Sequence, residues 1–360
     1  MMQAEADAVV ARRSIELRGT RVRPFVSGDE RQWDAFVEHC ESATFFHRAG
    51  WRDIFENVLH HRCHYLLAER GDAICGVLPL VEVRSVLFGR ALISLPFCAY
   101  GGPAAVDGGA DDLLIDAAVE LARSLRAAHL ELRNREAKRP DWPRQDLYVT
   151  FRKPILADAG ANLLAIPRKQ RAMVRKGIAH GLRSVVHAEP DCFFELYADN
   201  VHRHGTPPHS RRFFERIMSN FGSASEALIV NDAGGNAVSG VLSFYFRDEV
   251  LPCFAGDTLR ARELAANDFK YWDLMQRACE RGVRIYDYGR SKRDTGPYAF
   301  KKNWGFEPTS LAYEYKLFTR AGVPQNHPLN PKYRAFIAAW RRLPRKAANM
   351  LGPHIVRHLG

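Results

Sequence analysis

Apolar positions along this chain alternate between two periods, and the alternation is written twice. Trp51 to Leu59 repeats its apolar residues at the spacing of a short amphipathic helix. Tyr65 to Glu69 and Ile74 to Leu78 read as strands on either side of a Gly71-Asp72 turn. In the second half, Arg211 to Met218 is again a short amphipathic helix. Ala227 to Val230 and Val238 to Leu242 follow as strands about a turn at Asp232 to Asn236. Each unit leads to a longer helix, Asp111 to Arg126 or Asp268 to Arg281. Each helix ends before a short strand, Leu130 to Leu132 or Arg284 to Tyr288. The order helix, hairpin, strand, helix, strand therefore recurs at a separation of roughly 160 residues.

Hairpins followed by a helix and a further strand predict an α+β fold, a central mixed sheet packed by helices. The repeat predicts two such domains, 20–155 and 156–320, with the boundary near Lys153 to Ala161. A basic helical tail over 328–360 follows, in which Tyr333, Phe336, Ile337, Trp340 and Leu343 recur at helical spacing beside Arg334, Arg341 and Arg342, and Pro344 breaks the helix. Such a stripe suits packing on the parent domain; its basic flank and Trp340 also suit an anionic membrane surface.

Composition changes this picture little. At 360 residues, 46% hydrophobic and 26% charged, the chain is an ordinary globular protein long enough for two domains. Its seven cysteines are scattered with no CxxC pair, which predicts reduced thiols and neither a disulfide framework nor a metal site. The N-terminal residues, with Glu5, Asp7, Arg12 and Arg13, contain no apolar core of signal-peptide length. The most hydrophobic stretch, Ser85 to Val106, is broken by Arg90, Pro96 and a Gly-Gly-Pro, and reads as paired strands. The expected location is the cytoplasm, with peripheral contact at the inner face of a membrane.

Charge is more informative. The net charge is +11, and after Glu314 nine Lys or Arg residues appear without a single carboxylate side chain. A second acid-free block carries Arg168, Lys169, Arg171, Arg175, Lys176 and Arg183. Such blocks point to phosphate-bearing partners: nucleic acid, nucleotide-linked precursors or an anionic membrane. A solvated helix face explains the second block equally well.

The strongest local signal is the run from Tyr286 to Pro308. An alternating strand enters a loop with Arg290, Ser291, Lys292 and Arg293, and a segment built around Phe300-Lys301-Lys302 follows. Asp287 to Pro308 closely resembles the FemAB-like proteins associated with exosortase/PEP-CTERM systems. Tyr100 to Pro103, Leu164 to Arg171, and His204 to Pro207 leading to Ser210 to Arg212 are similar to the same family. The resemblance spans about Pro24 to Leu317. It implies tandem GNAT-like N-acyltransferase domains and work on a cell-envelope or exopolysaccharide precursor bearing phosphate or saccharide. Wider FemABX relatives move an amino acid from aminoacyl-tRNA to an amine of a peptidoglycan precursor. This chain lacks a long charged heptad segment that could form the helical arm of several tRNA-dependent members. The donor therefore stays open among acyl-CoA, acyl carrier protein and aminoacyl-tRNA, with no tightly bound cofactor.

Direct amide formation needs a positioned neutral amine and a polarised acyl carbonyl rather than a covalent nucleophile. Phe300-Lys301 resembles the Phe-Lys pair of FemABX enzymes, which places Lys301 at the transfer centre, where its ammonium would stabilise an oxyanion or leaving hydroxyl. Arg290 suits bidentate phosphate or carboxylate recognition; Ser291, Lys292, Tyr298, Phe300 and Lys302 would complete that binding surface. Asp287 is a candidate base or an ion-pair partner for Arg290, and Asp294 is the second candidate base. Trp304 and Phe306 are expected in the core.

Three more groups are expected to contact substrate. His204 and Thr206 lie in a Gly-Thr-Pro-Pro loop with His202 and His209, where turn chemistry speaks against a metal. Tyr100 and Gly101 offer a backbone that a ligand can approach closely, or an ordinary strand-end turn. Arg168 and Arg171 offer cations for phosphate. An enzyme is thus the leading reading. A GNAT-derived module that binds an anionic polysaccharide or precursor without catalysis is the alternative. Nucleic-acid binding is a third reading, but no recognised nucleic-acid motif or interleaved aromatic platform supports it.

Overall fold

The computed structural model describes residues 19–85, 89–319, 322–324 and 331–359, without the side chains of residues 85 and 331–334. The N-terminal charges, and the side chains of Tyr333 and Arg334, lie outside the described set. In chain order the first part contains β1 (Thr20–Pro24), α1 (Glu30–His39), α2 (Gly50–Asn57), β2 (Arg62–Cys63), β3 (Leu66–Arg70), β4 (Ala73–Leu78), β5 (Val81–Ser85), β6 (Gly89–Ile93), β7 (Ala104–Ala105), α3 (Gly108–Ser124), β8 (His129–Asn134) and β9 (Arg144–Gln145). Next come β10 (Arg152–Pro154), α4 (Ala159–Ala165), α5 (Arg168–Ala179), β11 (Arg183–His187), α6 (Asp191–Arg203), α7 (Arg211–Phe221), β12 (Ser225–Asn231), β13 (Ala237–Phe246), β14 (Glu249–Asp257), α8 (Ala266–Glu280), β15 (Ile285–Asp287) and α9 (Gly296–Asn303). The chain closes with β16 (Ala312–Leu317), α10 (Pro331–Arg342) and α11 (Arg345–Val356).

Two compact units result. The first holds residues up to 148 together with 310–325; the second holds 149–309 and 326–359. The division differs from the expected 20–155 and 156–320 in two places. β10, expected in the first domain, pairs antiparallel with β15 in the second unit's sheet. β16, expected in the second, lies in the first unit between β8 and β9. What holds it there is the fully buried Glu314, which accepts hydrogen bonds from Asn134 Nδ2 (2.6 Å) and from the backbone N–H of Lys138 (2.9 Å) and Arg139 (2.8 Å).

The first unit has a four-stranded sheet, order β1-β3-β4-β7, and a six-stranded sheet, order β2-β5-β6-β8-β16-β9. The helix α3 starts where Asp107 accepts from the N–H of Ala110, and its Leu114 and Ala118 pack with Leu66, Leu92 and Leu130 in the core.

The main sheet of the second unit has six strands, order β10-β15-β14-β13-β12-β11, antiparallel except where β14 and β15 run parallel. Its expected turn is present: Asp232 Oδ1 accepts from the N–H groups of Gly234 and Asn236, closing the β12–β13 hairpin. On one side α8 packs with α5, where a Cβ at Gly177 would fall 2.8 Å from Phe269 Cβ. α6 lies against β14, with the backbone at Leu196 pressed onto Gly256. The tail packs on α6 through Trp340, Ala348, Gly352 and Val356, all buried. No helix among the described residues is long and apolar enough to cross a membrane.

Candidate active site

The parallel strands β14 and β15 pair only at Glu249–Ile285 and Val250–Tyr286. β15 ends at Asp287, whereas β14 continues to Asp257, so the ladder between them stops early. Just beyond, the register on the other edge of β14 slips: Ser243 faces Pro252 and Leu242 faces Phe254, leaving Cys253 as the extra residue of a bulge. Backbone groups of β14 past this bulge therefore lack a ladder partner on the β15 side, which suits an extended ligand adding along that edge. Pro252, inside an otherwise regular strand, was the sequence signal for the irregularity; the sequence reading singled out neither Cys253 nor the bulge.

Lys301 approaches from α9. Its side chain is 9% exposed, and Nζ donates to the carbonyls of Tyr288 (2.6 Å), Gly289 (3.1 Å) and Arg290 (3.3 Å). The rings of Phe151 and Tyr288 lie 5.7 and 5.8 Å from the same nitrogen. Burial pushes its pKa down to about 7, Asp287 and Cys253 oppose that shift, and Arg290 adds to it. These three acceptors match the three protons of an ammonium. The expected oxyanion donor is thus engaged with the main chain of its own loop.

Asp287 is fully buried at the end of β15. Oδ1 accepts from the N–H of Gly289 (2.7 Å) and from Thr150 Oγ1 (3.3 Å), and Oδ2 lies 3.2 Å from Arg152 Nε. Arg152 also pairs with Glu249. Neither Arg152 nor Thr150 was singled out by the sequence reading, since both lie far from Asp287 in the chain. Gly289, at φ +63°, turns the strand so that its N–H reaches back to the carboxylate. Asp287, the candidate base, is thus a buried carboxylate that holds this turn.

The loop residues stay close to this pair. Arg290 is half-buried, and its charge acts on Lys301, Lys292 and Cys253. Lys292, half-buried, is pushed down to about 8 by burial first and Arg290 second. Ser291 is buried, and its Oγ has no hydrogen-bond partner among the described residues. Cys253 is exposed to solvent yet crowded: desolvation pushes its thiol up to about 12, against the pull of Arg290 and Lys301. Asp294 is exposed.

Tyr298, Phe300 and Arg171 have packing or hydrogen-bond partners within the protein. Tyr298 sits edge-on to Phe151 at 5.4 Å, and Phe300 packs against Tyr271 at 5.5 Å. Lys302 is exposed, and Trp304 and Phe306 are buried in the core. Arg168 opens α5 in an exposed position, while Arg171 donates to Leu164 O at 2.8 Å. The N-terminus of α5 touches the end of α9, because Pro167 lies 3.3 Å from where a Cβ of Gly305 would be.

Two further groups of expected residues make contacts of their own. His204 ends α6 with Nδ1 on Asn200 O (2.7 Å), and Thr206 is exposed beside it. Gly205 between them is pressed against Ile337 of α10, so this loop seats the tail. His209 is buried, stacked on Phe213 at 4.2 Å, and burial pushes its pKa down to about 3. In the first unit, Tyr100 is buried and Gly101 leaves room for Ser94: a Cβ there would fall 2.8 Å from Ser94 O. At Gly101 the protein's own backbone makes a close approach, as in an ordinary strand-end turn.

Comparison with known proteins fits this geometry. Residues 168–302 match the family model of the acetyltransferase (GNAT) domain. The match runs from the first residue of α5 to Lys302 and so takes in Cys253, Asp287, Arg290 and Lys301, with Thr150, Phe151 and Arg152 ahead of it. No curated protein matches the sequence. Among solved structures, FemX is similar with a TM-score of 0.63 at 15% identity, over 83% of this chain and 98% of its own. L-PGS from Bacillus licheniformis is similar with a TM-score of 0.55 at 10% identity, over 88% and 98%. The C-terminal domain (DUF2156) of a putative lysylphosphatidylglycerol synthetase from Agrobacterium fabrum gives 0.54 at 14%, over 81% and 92%. At these identities the likeness establishes the fold: a tandem GNAT-like α+β architecture with C-terminal helices.

Proposed function

We propose that the protein is an N-acyltransferase of GNAT/FemX type that moves an acyl or aminoacyl group directly to an amine of a cell-envelope or exopolysaccharide precursor. The observation that carries this reading is the placement of Lys301, Asp287 and Arg290 where β14 and β15 part company, within the GNAT match. The donor would lie along the unpaired edge of β14 past Cys253, its carbonyl near the Tyr288–Arg290 turn. Arg290 and Lys292 would hold a phosphate or carboxylate, and Arg168 and Arg171 are further candidates for a precursor phosphate. Lys301, with a pKa near neutrality, is suited to exchange a proton as the amine attacks, exchanging one main-chain acceptor for the reacting group. Asp287 acts through the turn and is a positioning residue. The envelope assignment rests on the resemblance of 287–308 to FemAB-like proteins of exosortase/PEP-CTERM systems; acyl-CoA, acyl carrier protein and aminoacyl-tRNA remain the donor classes.

One observation favours a second reading. All three protons of Lys301 have internal acceptors, as they would in a catalytically silent module that binds an anionic polysaccharide or precursor. Native mass spectrometry of the purified protein, with released ligands identified after denaturation, separates the two. A co-purified thioester, or ester turned over with an amine and not by Lys301→Met, supports transfer. Tight retention of an anionic saccharide with no consumption of any acyl donor would overturn it.

A further inference from the structure

We propose that the outer face of the α10–α11 pair is a docking surface for an anionic phospholipid bilayer. The two helices use one face to pack on α6. In α11 that face is Ala348, Gly352 and Val356, at four-residue spacing, with Gly352 so close to Pro208 that a Cβ would fall 2.4 Å from its Cδ. The opposite face repeats at the same spacing as Lys346, Met350 and His354, all exposed, with Leu351 alongside. Met350 is 68% exposed and Leu351 42%. The preceding α10 buries Trp340 and leaves Phe336 outside, stacked on it at 5.7 Å.

Apolar exposure is concentrated here. Phe336, Met350, Leu351 and Leu359 belong to a short terminal segment, yet they are a third of the twelve large apolar side chains left exposed among the described residues. A protein surface keeps such patches where something covers them.

Charge identifies the occupant. From Tyr315 to the C-terminus the sequence has no Asp or Glu against nine Lys or Arg. Arg345 is paired with Glu195 of α6, whereas Arg342 and Lys346 have no ion-pair partner among the described residues. Aliphatic side chains framed by unpaired cations match the headgroup layer of an anionic membrane, where the apolar groups enter the acyl boundary and the cations meet phosphate. A nucleic acid would use the cations but not Met350, Leu351 and Leu359, which offer no ring for a base to stack on, and the Trp340 indole is buried. The surface lies outside the GNAT match and does not depend on the transferase reading.

The test uses the full chain, sedimented with vesicles of phosphatidylcholine alone or doped with phosphatidylglycerol. Association is expected with the doped vesicles only, and is expected to weaken as salt rises. Each basic residue near such a surface contributes on the order of fivefold in partitioning, so Arg342→Glu with Lys346→Glu should weaken it by at least about tenfold. Met350→Glu with Leu351→Glu should weaken it comparably. All four side chains are exposed, so unchanged thermal melting serves as the folding control. Equal sedimentation with both vesicle types, or wild-type binding by both variants, overturns the proposal. So does an absence of vesicle binding combined with salt-sensitive binding of an RNA hairpin, which would assign the face to nucleic acid.

Discussion

Lys301 Nζ donates to the carbonyl oxygen of Tyr288 at 2.6 Å, tying α9 to the turn that ends β15. The bond makes one buried cation responsible both for the shape of the Tyr288–Arg290 turn and for the charge at the strand separation.

A pH dependence follows from that burial. The folded-state pKa of Lys301 is about 7, below its ordinary 10.5, so unfolding takes up a proton between those values. Stability contributed by this group therefore rises with pH across the window, by up to about 1.4 kcal/mol per pH unit. Lys292, pushed to about 8, and Lys153, also lowered by burial, act in the same direction. Lys301→Met should flatten the rise in stability from neutral pH to about 10 without abolishing it. Urea denaturation of both proteins across that range measures the difference; parallel curves would show that Lys301 is not the buried cation described here.

The bulged strand is held in place by a glycine. A Cβ at Gly256 would lie 2.4 Å from Leu196 C and Tyr197 N, backbone atoms of α6 that have no rotamer with which to retreat. Gly256→Ala should cost about 3 kcal/mol or more, at the upper end for overpacking. Gly108→Ala in the first turn of α3 meets nothing within 4 Å and should be neutral or stabilising by up to about 1 kcal/mol. Equal melting temperatures for the two variants would contradict the packing.

How far the sequence disclosed all this depends on the range of the interaction. The helix–hairpin–strand order was legible in both halves because periodicity and turn chemistry at Gly71-Asp72 and Asp232 to Asn236 are local. The strand Ala312 to Leu317 was not read from the sequence, and its place beside β8 is set by the hydrogen bonds that Glu314 accepts from residues far away in the chain. The Tyr286–Pro308 run drew attention to Lys301 and Asp287 as candidates. Their burial, and the partnership of Asp287 with Arg152 and Thr150, are tertiary facts with no local signature. Gly101 shows the converse: a glycine that permits close approach leaves open what approaches, and here it is Ser94.

Cys253 offers a reporter on the same charges. The residue is exposed but its thiol is desolvated, which pushes the pKa up to about 12; Arg290 and Lys301 hold it down and Asp287 raises it. The thiolate is the reactive form, so alkylation by iodoacetamide at mildly alkaline pH should be slow. Arg290→Ala should slow it further, by several-fold, because the neighbouring cation is lost. Peptide mapping of the alkylated chain distinguishes Cys253 from Cys192 and Cys279. Faster labelling of Cys253 in Arg290→Ala would mean that the two residues do not share one electrostatic environment.

His209 predicts an acid sensitivity of the opposite pH range. Burial against Phe213 pushes its pKa down to about 3 from an ordinary 6.5, so the folded protein keeps the ring neutral where the unfolded chain would protonate it. Unfolding takes up a proton between pH 3 and 6.5, and the stability present above 6.5 is lost as pH falls through that window, at about 1.4 kcal/mol per unit for one group. Other groups also titrate there; Glu82, held near 2 with His64 and Arg84 as partners, loses stability at lower pH. The informative quantity is therefore the difference between wild type and His209→Phe, which keeps a flat ring beside Phe213 and removes the titration. Relative to its own stability at pH 7, the variant should lose about 2 kcal/mol less than wild type by pH 5. The effect should be confined to the second unit, visible as slower hydrogen exchange of α7 amides in the variant at pH 5. An identical acid profile for the two proteins would show that the His209 ring does not carry the lowered pKa that its burial implies.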